Sequence, residues 1–207
     1  MPARGTSSTK PSRGRPRKDE PGARERLISA AAELFYTHGV HATGIDAIIQ
    51  HAGVAKMSLY AHFASKDDLV AAVLRDERDR WFKAFVPAVE KRSANPDGRI
   101  LAAFDILAER FADPGFRGCG FLNTAAEIPD PHHPARAVVL EFKEHLRLYL
   151  RDQLRAAGRT PAAAERLSRQ LLILIDGAIM WGMLTGAAQP AQDAKAVARS
   201  LLAPPGT

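Results

Sequence analysis

The sequence predicts an all-α protein of about nine helices, built as a small N-terminal three-helix domain and a larger C-terminal helical bundle. Apolar residues recur at helical spacing from Leu27 to Leu202, with neither the alternation of a strand nor an internal repeat. Prolines and glycines fall between these periodic stretches rather than inside most of them, as helix punctuation does. The run TGIDAIIQHAGVAKMSLYAHFASKDDL, residues 43–69, packs two short helices around a glycine-containing turn.

Taken in order, Leu27, Ile28, Ala31, Leu34 and Phe35 form the apolar face of a first helix, which Gly39 closes. Thr43 is placed to cap the next helix, with Asp46 three residues on, and Ile45, Ile48 and Ile49 form its stripe. His51-Ala52-Gly53-Val54 turns the chain, and Val54, Leu59 and Phe63 resume an apolar face. This is the pattern of a helix-turn-helix, whose second helix enters the major groove of DNA. Ser65, with Asp68 three residues on, starts a long helix through Leu69, Val73, Leu74 and Trp81 that Pro87 is expected to disturb. Asn95-Pro96 opens a helix to Phe111, Asp113-Pro114-Gly115 interrupts the chain, and a short helix covers Cys119 to Glu127 before Pro129 and Pro131. Long helices then run from about Pro134 to Ala157 and from Pro161 through Leu184, and a last one covers Asp193 to Leu202.

The helix-turn-helix segment resembles the TetR family of transcriptional regulators, on Thr43, Ile48, Ala52-Gly53-Val54, Tyr60, His62-Phe63 and Ser65-Lys66-Asp67. The resemblance is close over roughly the first third of the chain; beyond Leu74 it is carried by helical pattern and length. Three residues depart from the family pattern. Ala55 stands where a Ser or Thr is usual, Met57 where a Gly is common, and Ile49 in place of a small residue. The resemblance implies that Lys56, Met57 and Ser58 face base edges while Thr43, Tyr60, His62 and Lys66 hold phosphates. It also implies a dimer on a palindromic operator, acting as a repressor that a small effector releases. The resulting division is 1–20 as a basic arm, 21–66 as the DNA-binding domain, and 67–207 as the effector-binding and dimerisation domain.

Charge is unevenly placed. The first 20 residues hold six basic residues against Asp19 and Glu20, a surplus of four that accounts for most of the chain's +6. This segment is rich in Pro, Gly, Ser and Thr and has no apolar periodicity, so it cannot bury a core of its own. It reads as a disordered arm. Its Arg13-Gly14-Arg15-Pro16-Arg17 resembles the core of an AT-hook, which would put Arg13, Arg15 and Arg17 into the minor groove of A·T-rich DNA. A solubilising tail is the alternative.

Within the bundle, Leu171 to Ile175 is apolar on every side and must be covered all round, by its own domain and by an identical partner in a twofold dimer, or else by complete burial in a monomer. The bundle is also rich in aromatic and soft residues, Phe116, Phe121, Tyr149 and Met183 among them, most of them core. The candidate effector pocket draws on Trp81, Phe85, Phe104, Phe111, Phe142 and Met180, with Cys119, Asn123, His145 and Asp176 as its polar groups.

The composition, 46% hydrophobic and 25% charged, is that of an ordinary globular chain. No apolar leader opens the sequence, and the apolar run Leu171 to Leu184 is short and carries Asp176, so a cytoplasmic protein with no membrane span is expected. The single cysteine excludes an intrachain disulfide. No cofactor, metal site or catalytic function is expected: His132-His133 lies among prolines, and no phosphate loop or nucleophile elbow occurs. The rival class is an architectural DNA-binding protein with no effector; an enzyme comes third.

Overall fold

The computed structural model describes residues 21–203. Among them are nine α-helices and no strand: α1 Ala23–His38, α2 Ile45–Ala52, α3 Lys56–His62, α4 Lys66–Arg92, α5 Pro96–Phe111, α6 Gly120–Glu127, α7 Pro134–Ala156, α8 Pro161–Thr185 and α9 Gln189–Leu202. Helices α1 to α3 close over a core of Leu27, Ile28, Ala31, Ile48, Leu59 and Phe63, which Leu69, Ala72 and Val73 of α4 complete. The far half of α4 belongs to a second core, with Phe85 and Val89 packed among α5, α7, α8 and α9. Helix α4 is therefore one rigid element with an end in each core. Between them, Val70, Ala71 and Leu74 meet Phe121 of α6 and Val138 and Phe142 of α7.

Local chemistry explains several helix ends. Ser65 caps α4, its hydroxyl oxygen accepting from the Asp68 N–H at 3.0 Å, and the Asn95 side chain accepts from the Asp97 N–H at 2.9 Å to start α5. An imidazole caps α7, where the His133 Nδ1 accepts from the Ala135 N–H at 3.1 Å while Nε2 lies 3.2 Å from Asp67 at the start of α4. Gly53, at φ 61°, supplies the left-handed turn between α2 and α3. Each such cap contributes about 1 kcal/mol.

Several details differ from the sequence reading. Gly44, not Thr43, is the N-cap of α2. Thr43 is only 4% exposed, and its hydroxyl donates to the Gly39 carbonyl at 2.7 Å and the Leu34 carbonyl at 3.3 Å, closing the end of α1 instead. Helix α4 continues through Pro87 to Arg92. The lost bond there is to the carbonyl of Lys83, and both residues lie on the exposed side of the helix, open to water, while buried Phe85 and Val89 hold the opposite face. Helix α9 starts at Gln189, with Pro190 in its first turn, earlier than Asp193. The apolar run of α8 is not completely buried in the single chain, as the monomer alternative required: Leu171 and Ile175 are buried, but Ile173 is 70% exposed. As a whole α8 is long and apolar enough to cross a membrane by length and composition. In this fold it is a bundle helix, with Leu171, Ile175 and Ala178 in the core and Asp176 paired to Lys143 of α7.

Candidate DNA interface and effector cavity

Helix α3 has one buried side and one bare side. Leu59 is fully buried and Phe63 nearly so, which fixes the helix on the first core. Met57 is 80% exposed and Tyr60 half exposed, with Lys56 and His62 beside them on the surface. Ser58 is half-buried. The N-cap of α3 is Ala55, which has no side-chain oxygen to accept from the first turn. Lys56 reaches back to Asp46 of α2 at 3.1 Å, bracing the two helices, and that hydrogen bond, aided by the Coulomb attraction between them, holds the ammonium pKa above its ordinary value. Lys66, expected on phosphate, donates to the Val40 carbonyl at 2.6 Å. The Thr43 hydroxyl is likewise engaged within the domain, as described above. A phosphate contact by either would have to share or replace an internal bond. Arg13, Arg15 and Arg17 lie outside the described residues.

The second site is a cavity of about 410 Å³ between the two cores. Its walls come from six helices. Phe35 and Tyr36 enter from α1, Val70, Leu74 and Trp81 from α4, Leu107 from α5, Phe121 from α6, Phe142 and Leu146 from α7, and Ile175 and Ile179 from α8, with Phe116 from the loop before α6. This composition and volume suit a small, largely apolar ligand. Of the ten residues read from the sequence as a pocket, Trp81, Cys119, Asn123 and Phe142 line the cavity. The other six lie outside its lining. Phe85 stacks behind Trp81 at a ring separation of 4.3 Å. Phe104 is fully buried in the bundle core, and Phe111 packs against Phe116 at 4.9 Å. His145 lies against Phe82 at 4.2 Å, Asp176 is held by Lys143 at 2.5 Å, and Met180 stands half exposed on the outer side of α8.

Tyr36 is the lining residue least visible in the sequence, because it sits on the first helix of the DNA-binding domain. Its hydroxyl accepts from the Arg117 N–H at 2.8 Å and donates to the Gly118 carbonyl at 3.4 Å. At the other end of α6, the Glu127 carboxylate accepts from the His41 N–H at 2.9 Å, and His41 Nε2 donates to the Glu127 carbonyl at 2.7 Å. Gly39, at φ 87°, makes room there, since a Cβ would lie 2.8 Å from a Glu127 oxygen. One wall of the cavity is thus pinned to the DNA-binding domain at both its ends.

These features define an all-α helix-turn-helix protein with an internal apolar cavity beside its DNA-reading domain. Bacterial regulatory proteins of the tetR family match at residues 27–73, and the tetracyclin repressor-like C-terminal domain matches at 96–198. A TetR-family transcriptional regulator from Streptomyces coelicolor is 36% identical, with a TM-score of 0.77 over 87% of this chain and 94% of that one. The chain belongs to the TetR family of transcriptional regulators. The HTH-type transcriptional regulator LmrA of Bacillus subtilis is 28% identical over 160 residues, 76% of this chain and 85% of its own length. The HTH-type transcriptional activator FasR of Mycolicibacterium smegmatis is 42% identical over 82 residues, 40% of this chain and 37% of its own.

Proposed function

We propose that the protein is a cytoplasmic, ligand-responsive repressor that binds a palindromic operator as a homodimer and is released by a small, largely apolar effector. The observation that carries this reading is the aromatic-walled cavity of about 410 Å³ that has Tyr36 of the DNA-binding domain in its wall. A molecule filling it touches both domains at once, so it can favour one arrangement of the α3 helices over another through different affinity for each. The cavity favours a regulator over an architectural protein with no effector, which has no use for such a space.

The dimer reading is supported by the outer face of α8. Ile173, Gly177, Met180, Trp181 and Leu184 form one exposed stripe at helical spacing, next to Val197 of α9. A second copy of this stripe would cover it and set two α3 helices on half-sites about 34 to 36 Å apart, or a multiple of that. On DNA, Lys56, Met57 and Ser58 read bases, Thr43, Tyr60, His62 and Lys66 meet phosphates, and Arg13, Arg15 and Arg17 of the arm follow the minor groove.

The test is reciprocal binding. DNA selected from a random pool gives the operator. A ligand that fills the cavity must then weaken operator binding by the factor by which operator weakens ligand binding. A palindromic selected site and equal factors are expected; cavity ligands indifferent to operator would leave the architectural reading in its place.

A further inference from the structure

We propose that the effector carries an anionic group on its apolar body, and that Arg110 selects for it; this rests on the cavity being the effector site. Six charged side chains line the cavity. Five are engaged by the protein itself. Glu33 meets His51 at 3.0 Å. Glu77 meets Arg80 at 3.2 Å, and Arg80 also holds Asp76 at 2.8 Å. The Glu127 carboxylate accepts from the His41 N–H at 2.9 Å, and Lys143 is closed by Asp176 at 2.5 Å. Arg110, in the last turn of α5, is the exception. Among the described residues no carboxylate lies within 4.0 Å of its guanidinium.

Each lining carboxylate thus has a partner within the protein, while Arg110 at the cavity edge has no carboxylate partner among the described residues. Arg110 is exposed at the mouth of the cavity, and its guanidinium offers a planar fork of donors suited to a carboxylate, sulfonate or phosphate. Helix α6 adds to the same field, since it begins at Gly120 on the cavity wall and its N-cap, Cys119, gives no side-chain bond to the first turn. A neutral ligand would leave Arg110 to water, and a cationic one would meet its repulsion. The fitting class is an aromatic or aliphatic acid whose body fills the space among Trp81, Phe121 and Phe142 while its anion faces Arg110.

Two fluorescent probes that differ by one sulfonate test this: 1-anilinonaphthalene-8-sulfonate and neutral N-phenyl-1-naphthylamine. The chain has two tryptophans, so the full-length Trp181→Phe protein leaves Trp81, in the cavity wall, as the sole energy-transfer donor to a bound probe. The sulfonate probe is expected to bind about tenfold more tightly than the neutral one, as one charge-assisted contact provides. Arg110→Gln should erase most of that preference while leaving the affinity of the neutral probe unchanged. Equal or tighter binding of the neutral probe, or a preference untouched by Arg110→Gln, overturns the proposal. The underlying reading fails by a different result: a selected operator duplex that leaves both probes' affinities unchanged, followed by probe fluorescence in the protein that keeps Trp181. No transfer from Trp81 to either probe counts against both.

Discussion

Helices α3 and α8 both hold large side chains out of the protein, but their exposed faces differ in chemistry. The outer face of α3 mixes Lys56, Met57, Tyr60 and His62. The outer face of α8 is Ile173, Met180, Trp181 and Leu184, without a charge among them. A wet, anionic partner needs donors and tolerates water between contacts, as DNA does. An apolar stripe gains free energy only where water leaves it, at roughly 25 cal/mol per Å² buried. Equal exposure therefore signals two kinds of partner, and changes on the two faces should break different things.

The largest effect is expected on α8. Ile173→Asp would bury a charge in the proposed dimer interface, and should convert the protein to monomers and lower operator affinity by at least about a hundredfold. Sedimentation velocity and DNA titration on the same sample check both; a dimer that survives the change would locate the interface elsewhere. A pair of glycines on the same helix sharpens the contrast between its two sides. At Gly182 a Cβ would lie 2.5 Å from the Phe111 ring, whereas at Gly177 it would meet nothing within 4 Å. Gly182→Ala should cost about 1 to 3 kcal/mol in urea unfolding through overpacking. Gly177→Ala relieves helix glycine entropy without that clash, and should not lower the stability of the folded chain when unfolding is followed in a monomeric Ile173→Asp background.

On α3 the effects are smaller and concern preference. Lys56→Ala should change which bases are selected, by about 1 to 3 kcal/mol at the affected position. Lys66→Ala should instead weaken all sequences alike and flatten the salt dependence, with a modest loss of stability from its bond to the Val40 carbonyl. Selection experiments across two salt concentrations separate them, and identical shifts in preference would defeat the division of roles. Deleting residues 1–20 should lower affinity and the salt slope while the dimer persists. Unchanged affinity at low salt would make the arm a solubilising tail.

The smallest effect is on the surface of the bundle. The hydrogen bond from Arg147 lowers the Glu144 pKa below its ordinary value. A depressed carboxylate stabilises the fold above its unfolded pKa, and that contribution fades as pH falls through the folded value. The pair is largely solvated at Glu144, with that side chain 53% exposed. Glu144→Gln should therefore cost less than about 1 kcal/mol at neutral pH. The difference from the unmodified protein should shrink as melts are taken down into the acidic range where the carboxylate protonates.

Local signals made the helix-turn-helix legible in the sequence. Gly53 is required by a left-handed turn, Ser65 by a helix start, and Ile48, Leu59 and Phe63 by one small core. Each acts on neighbours a few residues away, so residue order alone reveals it. Those signals misplaced Thr43 because a threonine before a helix can bond forward to that helix or back to the previous one, and only the position of the Gly39 and Leu34 carbonyls in the fold decides which. Pro87 was similarly ambiguous: whether it ends a helix depends on whether water can reach the carbonyl it orphans.

The cavity was legible only in part, for a different physical reason. Sequence alone determined about nine helices, their order, a DNA-reading unit and an unusually apolar α8, since these follow from spacing, caps and turn residues. It could mark Trp81 and Phe142 as aromatic, but Phe104 is equally aromatic and lies fully in the core. Whether a ring fills a core or faces a space depends on how helices far apart in the chain fail to close on one another. Tertiary structure alone brought Tyr36 of α1 against the loop at Arg117, 81 residues away. It also left Arg110 at the cavity edge without a carboxylate, because pairing is settled by which side chains converge in space, and sequence separation carries no record of that.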